Sequence, residues 1–201
     1  MSESRIKIVI LASGRGSNAK VLMEFARSNP DLVRVVGLIS DRDGVGVLAL
    51  AKSFSVPAFV VDHRKEEELV ALLEKLSPNW ACLAGYKRKV GARFLRYFAD
   101  NERGYFRVMN VHPSLLPAYP GLNGYERAWK DKRNETGVTV HLVDEGLDTG
   151  APILQEAFAI LPEDSVAEVE ARGLSVEHRL FPQALKLAAL GQIKNTAGGQ
   201  K

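Results

Sequence analysis

The chain has a single cysteine, Cys82, in 201 residues. A lone thiol cannot close an internal disulfide, so an ordinary core must hold the fold, and a reducing, cytoplasmic setting is expected. Cys82 lies in an apolar run and is read as a small buried hydrophobe. No apolar stretch reaches membrane-spanning length, so no membrane partner is expected. The start, Met1-Ser2-Glu3-Ser4-Arg5, lacks the apolar region and cleavage site of a secretory leader. Neither sign of charge dominates. The 27 Lys and Arg against 24 Asp and Glu leave +3, which suits an anionic small molecule and does not demand nucleic acid. There is no Cys/His cluster of zinc type, and no metal is expected. Internal repeats and low-complexity segments are lacking as well.

With 46% hydrophobic residues the chain can bury a full core, and a single domain over 1–201 is expected. The polar, Gly-rich tail 195–201 is expected to fray. β-branched apolar runs alternate with helical patterns. Strands are expected at 6–12, 33–39, 58–61, 80–84 and 106–111, and helices at 18–27, 45–54, 65–76 and 91–98. That order implies right-handed βαβ units. The runs 138–143 and 153–160 read as an added hairpin. The fold class is therefore α/β: a Rossmann-like, open, mixed but mainly parallel sheet with helices on both faces. A closing helix is expected at 165–190, with Ser165 and Glu168 as a capping box and Pro182 kinking or splitting it.

The most informative segment is Asn110-Val111-His112-Pro113-Ser114-Leu115-Leu116-Pro117. On a strand, Asn110 and His112 point to the same face near its carboxyl end, where open α/β sheets bind ligands. An amide donor and a titratable imidazole aimed at one place can stabilise an oxyanion and move a proton. Pro113 and Pro117 force the chain out of the sheet into a shaped loop. Taken alone, the pair could also be turn chemistry.

Two further segments add to it. The loop Ala12-Ser13-Gly14-Arg15-Gly16-Ser17-Asn18 leads into a helix start, with Ser17 and Asn18 at capping positions. Its backbone N–H groups can cradle a phosphate. It lacks the P-loop Lys-Ser/Thr ending, and Ala19 falls at the third glycine position of the dinucleotide fingerprint. After a strand comes Asp144-Glu145-Gly146-Leu147-Asp148-Thr149-Gly150. Asp148 could swing toward His112 and fix its orientation, or Asp144 and Asp148 could merely shape a turn. Spacing alone does not choose.

Together these segments, with Leu83-Ala84-Gly85-Tyr86, Tyr119-Pro120-Gly121 and Glu177-His178, resemble the folate-dependent formyltransferases, and within them the glycinamide ribonucleotide transformylases. The resemblance runs from about Lys7 to Ile193. It implies transfer of the formyl group of 10-formyltetrahydrofolate to the amine of glycinamide ribonucleotide, the third step of de novo purine biosynthesis, by direct amine attack and without a metal. It implies that Asn110 donates to the oxyanion, that protonated His112 adds charge and assists proton transfer, and that Asp148 keeps His112 protonated. It assigns the phosphate to Gly16, Ser17 and Asn18, and the glycine amine to Glu177. It places the folate against Arg88 and Val90, with Leu83, Ala84 and Asp144 nearby and Arg64 on the folate side. The implied partners are small molecules, with the chain a monomer or homodimer.

The chain departs from the family in two places. Tyr86-Lys87-Arg88-Lys89-Val90 stands where an apolar stretch is usual, so Lys87 and Lys89 either turn outward or meet a polyglutamate tail. Leu122-Asn123-Gly124-Tyr125-Glu126-Arg127-Ala128-Trp129 replaces a His-rich stretch beside the site. Tyr125 and Trp129 are read as packing residues, and His63, His141 and His178 as structural or exposed. Other formyltransferases remain as alternatives. A formyl-methionyl-tRNA enzyme would carry a further C-terminal domain and a basic surface, and a formyltetrahydrofolate hydrolase an N-terminal regulatory domain. An amino-sugar formyltransferase fits the altered 123–127 loop. A nucleotide-binding oxidoreductase would use Asp41 or Asp43 on a ribose, but leaves Asn110, His112 and Asp148 unexplained.

Overall fold

The computed structural model describes residues 5–193, and the expected frayed tail lies outside them. In chain order the elements are β1 (Ile6–Leu11), α1 (Ser17–Ser28), β2 (Val33–Ser40), α2 (Gly46–Ser53), β3 (Ala58–Val60), α3 (Glu66–Leu76), β4 (Trp80–Leu83) and α4 (Ala92–Tyr97). Then come β5 (Ala99–Asp100), β6 (Tyr105–Phe106), β7 (Val108–His112), α5 (Gly124–Lys130), β8 (Glu135–Leu142), β9 (Pro152–Ala159) and α6 (Val166–Ala189).

Strand alternation builds two cores, one on each face of the sheet. Ile8 and Ile10 of β1 enter a cluster with Ala19 and Leu22 of α1 and Phe181 and Leu185 of α6. Val9 and Leu11, the intervening residues, enter a second cluster with Leu69 and Leu73 of α3 and Phe94 and Leu95 of α4. Helices thus cover both faces, as a nearly continuous apolar strand requires. Cys82 is fully buried in the first cluster, and burial pushes its thiol above the ordinary range, as expected of a packing residue.

The seven strands run in the order β3-β2-β1-β4-β7-β8-β9. Neighbours from β3 to β7 are parallel, and β8 and β9 are antiparallel additions. The mixed, mainly parallel sheet is the one the sequence implies. After β1 the chain builds outward through β2 and β3, then returns to the other side of β1 as β4. Ligands bind such sheets at this reversal, outside the carboxyl ends of the strands.

Three elements differ from expectation. The run at 106–111 is divided: Tyr105–Phe106 pairs with Ala99–Asp100 in a small antiparallel sheet, and the main strand runs on to His112. Helix α5, only seven residues long, was not expected; Asn123 in the left-handed region turns the chain into it. Of the two outcomes expected at Pro182, a kink or a split, the split does not occur: α6 is one helix of 24 residues. Leu180 and Phe181 before the proline, and Ala184, Leu185 and Ala188 after it, all dock on the core and offset the missing N–H. The capping box is present: Glu168 N–H donates to Ser165 Oγ, and Ser165 N–H donates to Glu168 Oε2.

Candidate active site

β7 and β8 pair antiparallel with Asn110 directly opposite His141 and His112 opposite Thr139. Alternation then puts Asn110, His112 and His141 on one face, over a cleft of about 770 Å³. His141 Nδ1 donates to the Leu142 carbonyl at 2.7 Å. Its Nε2 therefore accepts from Asn110 Nδ2, at 3.2 Å, when the ring is neutral. Burial pushes the His141 imidazole below its ordinary value, against the opposing pull of the Leu142 carbonyl and of Asp148. A neutral His141 fixes which way the Asn110 amide faces. One amide N–H is used on His141, and the second is left for a ligand.

His112 ends β7 and is 3% exposed. Its Nε2 donates to the Tyr119 carbonyl at 2.8 Å, and its Nδ1 lies 3.3 Å from Asp148 Oδ2. Both ring nitrogens thus face acceptors, an arrangement that a doubly protonated imidazolium satisfies. Asp148 reaches inward from a left-handed backbone, φ 54°. Its Oδ2 also accepts from Gly121 N–H at 2.7 Å, and its Oδ1 is 3.6 Å from His141 Nε2. The sequence left open whether Asp148 meets His112 or shapes a turn; it does both. Asp144 accepts from Gly146 N–H and the Thr149 hydroxyl, and so shapes the loop while lining the cleft.

His141 was read as structural, yet it stands at the centre of this group. The missing information was the register of β8 on β7, which no local pattern prints. One pH effect follows from its lowered pKa. Stability contributed by the neutral ring is present in full above the ordinary 6.5 and is lost as pH falls below it toward the folded value. Thermal unfolding of the wild type should therefore lose more stability between about pH 7.5 and about pH 5.5 than a His141→Gln variant does. Parallel curves would contradict this.

The start of α1 forms the next wall. Its N-cap is Gly16 at φ 87°, and no side chain caps the helix. This corrects the expectation that Ser17 or Asn18 does so: they are the first two helical residues. The first-turn N–H groups are left without intrahelical partners, a ready anion site. Ser17 and Arg15 line the cleft beside it. Arg15 was not singled out in the sequence, since an Arg in a glycine loop carries no signal of its own. Only glycine fits at 16, because a Cβ would lie 2.4 Å from Val47 Cγ2. Gly16→Ala should cost roughly 1–3 kcal/mol in denaturant unfolding and weaken anion binding; an unchanged midpoint would contradict the fit.

The Asn18 side chain turns away from this helix end. Its Nδ2 donates to Glu177 Oε2 at 2.6 Å, while the Tyr125 hydroxyl donates to Glu177 Oε1 at 2.7 Å. Glu177 is buried rather than a solvated helical residue, and it lines the cleft. The opposite wall carries Leu83, Val90 and Val143, with Leu122 and Leu147 exposed at the rim. Lys87, Arg88 and Lys89 line the mouth. Arg88 Nε donates to the buried Asp41 carboxylate at 2.8 Å. Burial works against that charge, but the Ser13 hydroxyl and Arg88 hold Asp41 below the usual carboxylate range. Asp41 is thus engaged, not free for a ribose. The structure does not bring Arg64 to the cleft: it is exposed and folds back onto Asp62, two residues away. Among the described residues no group of three or more His, Cys, Asp and Glu is arranged to hold a metal, and no helix is long and apolar enough to cross a membrane.

Similarity to known proteins agrees with this geometry. The trifunctional purine biosynthetic protein adenosine-3 of Drosophila melanogaster is 38% identical over 200 residues, which are 95% of this chain and 14% of that protein. The chain thus spans about a seventh of that relative's length. Phosphoribosylglycinamide formyltransferase of Haemophilus influenzae is 33% identical over 195 residues, 94% of this chain and 89% of that one. The crystal structure of glycinamide ribonucleotide transformylase 1 from Symbiobacterium toebii superposes with a TM-score of 0.87 at 35% identity, covering 94% of this chain and 89% of the other. With residues 6–185 matching the formyl transferase model, the chain belongs to the formyl transferase family.

Proposed function

We propose that the chain transfers the formyl group of 10-formyltetrahydrofolate to the amine of glycinamide ribonucleotide, acting as a single domain, monomeric or homodimeric, on small molecules in the cytoplasm. The observation that carries this reading is the meeting of Asn110, His112 and Asp148 at one point of the cleft. The formyl folate supplies an activated one-carbon unit at the formate level, so its transfer to an amine is acyl transfer with no change of oxidation state. The apolar wall of Leu83, Val90 and Val143 suits a flat ring, and Arg88 and Asp144 bring polar groups to its edge.

Attack of an amine on a formyl carbon places negative charge on the formyl oxygen. The free N–H of Asn110 answers that charge, and a preorganised donor of this kind is worth about 3–4 kcal/mol. His112 sets a positive charge beside it, kept in place by Asp148 and the Tyr119 carbonyl. To hand a proton to the reacting atoms, Nε2 must first leave that carbonyl, so the loop carrying Tyr119 takes part in the cycle. Asp148 takes the proton that the attacking amine loses, directly or through water; as the tetrahedral intermediate collapses, the bond from the formyl carbon to the folate nitrogen breaks and His112 delivers a proton to that departing nitrogen. The N–H groups at residues 16–18 and Arg15 hold the phosphate, and Glu177 holds the amine end of the acceptor.

The test is acceptor dependence. Deformylation of 10-formyltetrahydrofolate should require glycinamide ribonucleotide. Equal rates without it would identify a hydrolase, and no turnover with it would point to another amine, such as an amino sugar.

A further inference from the structure

The cleft wall formed by residues 85–90 belongs to no helix or strand, although every one of them lines the cleft. Such a segment has no ladder of backbone hydrogen bonds, so its shape depends on what its ends and side chains meet. It leaves β4 through Gly85 at φ 74°. Tyr86 and Val90 pack against the second core cluster, beside Phe94 and Leu95 of α4. The polar residues between them are held by two neighbouring loops.

One loop follows β1 and contributes Ser13, which is fully buried. Ser13 N–H donates to the Gly85 carbonyl at 3.2 Å, and its hydroxyl oxygen accepts from Lys87 N–H at 3.0 Å. The other loop follows β2 and contributes Asp41. The Asp41 side chain is 1% exposed, and its Oδ2 accepts from Arg88 Nε at 2.8 Å. The nearby Ser13 hydroxyl also favours the charged carboxylate, but Oδ1 is buried without a hydrogen-bond partner among the described residues. Among those residues Arg88 is the one cation paired with this buried charge. Because β1 lies between β2 and β4 in the sheet, the pair spans the carboxyl end of β1. It ties the loop after β4 to the loop after β2.

We propose that Asp41 is a positioning residue for the folate: by pairing with Arg88 it holds the 86–90 wall, before any ligand arrives, in the shape that receives the ring. The inference rests on the formyl-transfer reading above. Asp41 lies outside the cleft lining and touches no reacting atom; it acts through Arg88. A wall ordered in advance costs the ligand less to bind. Without Asp41 the half-exposed Arg88 side chain turns to water, and of the polar anchors only Ser13 remains. Asn110, His112 and Asp148 stand on other elements and keep their geometry, so the loss falls on folate binding and not on the chemical step.

The experiment is a double-mutant cycle on Asp41→Ala and Arg88→Ala. Calorimetry gives the Kd of 10-formyltetrahydrofolate and, separately, of glycinamide ribonucleotide, and kcat is measured beside them. Asp41→Ala should weaken the folate about tenfold and leave the ribonucleotide Kd and kcat within about twofold of wild type. Arg88→Ala should weaken the folate at least as much. Adding Asp41→Ala to it should change the folate Kd by less than about twofold, because the anchor has nothing left to hold. Asp41→Asn, which keeps the shape and an acceptor for Arg88 but not the charge, should weaken the folate alone, by about threefold. An unchanged folate Kd in either Asp41 variant overturns the inference. So does equal weakening of both ligands with a fall in kcat, which would make Asp41 a support of the whole fold, and so does a full further tenfold loss in the double variant. Wild type that binds the ribonucleotide but no folate overturns the formyl-transfer reading, and this inference with it.

Discussion

Asp148→Asn should lower kcat by about 10³–10⁴-fold and change folding stability by less than about 1 kcal/mol. The two side chains have the same shape, so the size of the effect depends on charge alone. Asp148 Oδ2 faces both Gly121 N–H at 2.7 Å and His112 Nδ1 at 3.3 Å. An asparagine can place its carbonyl oxygen there and keep both contacts, so the loop stays folded. What it cannot do is balance an imidazolium or receive a proton. His112 is 3% exposed, so solvent does little to replace the missing counter-charge. The measurement is kcat beside the denaturant midpoint for the same preparation. Large and equal losses of both would mean that Asp148 only shapes the turn.

Asn110→Ala should lower kcat by about 10²–10³-fold with KM values nearly unchanged, because the lost donor acts on charge that appears only in the transition state. The substitution also leaves His141 Nε2, in a ring 1% exposed, without its donor at 3.2 Å. That orphaned acceptor should cost about 1–3 kcal/mol of stability, read by thermal unfolding. Steady-state kinetics with each substrate varied in turn separates the two effects. A rise in KM with kcat unchanged would place Asn110 in ground-state binding and remove it from the oxyanion role.

The parts of the site that lie close together in sequence were readable there. Asn110 and His112 share a face because a strand alternates, and prolines at 113 and 117 say where the strand ends. That a helix starts after the glycine loop was readable too, but its cap was not: Gly16, and not Ser17 or Asn18, stands at the N-cap. The parts that were missed depend on tertiary register. His141 meets Asn110 only because β8 returns antiparallel on β7 with those two residues opposite. Tyr125 meets Glu177 across 52 residues of chain, through a seven-residue helix too short to show a period. Arg64 was placed near the folate by resemblance; its exposed side chain lies 2.6 Å from Asp62, two residues away, a local contact that the sequence reading did not include. Pro182 was expected to kink or split its helix; it does not split it, because buried apolar side chains on both sides of it hold α6 on the core.

The most direct measurement follows the formyl carbon itself. Carbon-13-labelled 10-formyltetrahydrofolate is mixed with glycinamide ribonucleotide and either wild type or Asn110→Ala, and the products are read by mass spectrometry. The account predicts label on the ribonucleotide amine with wild type and almost none with the variant. Label appearing as free formate, or reaching the ribonucleotide equally with both proteins, would contradict it.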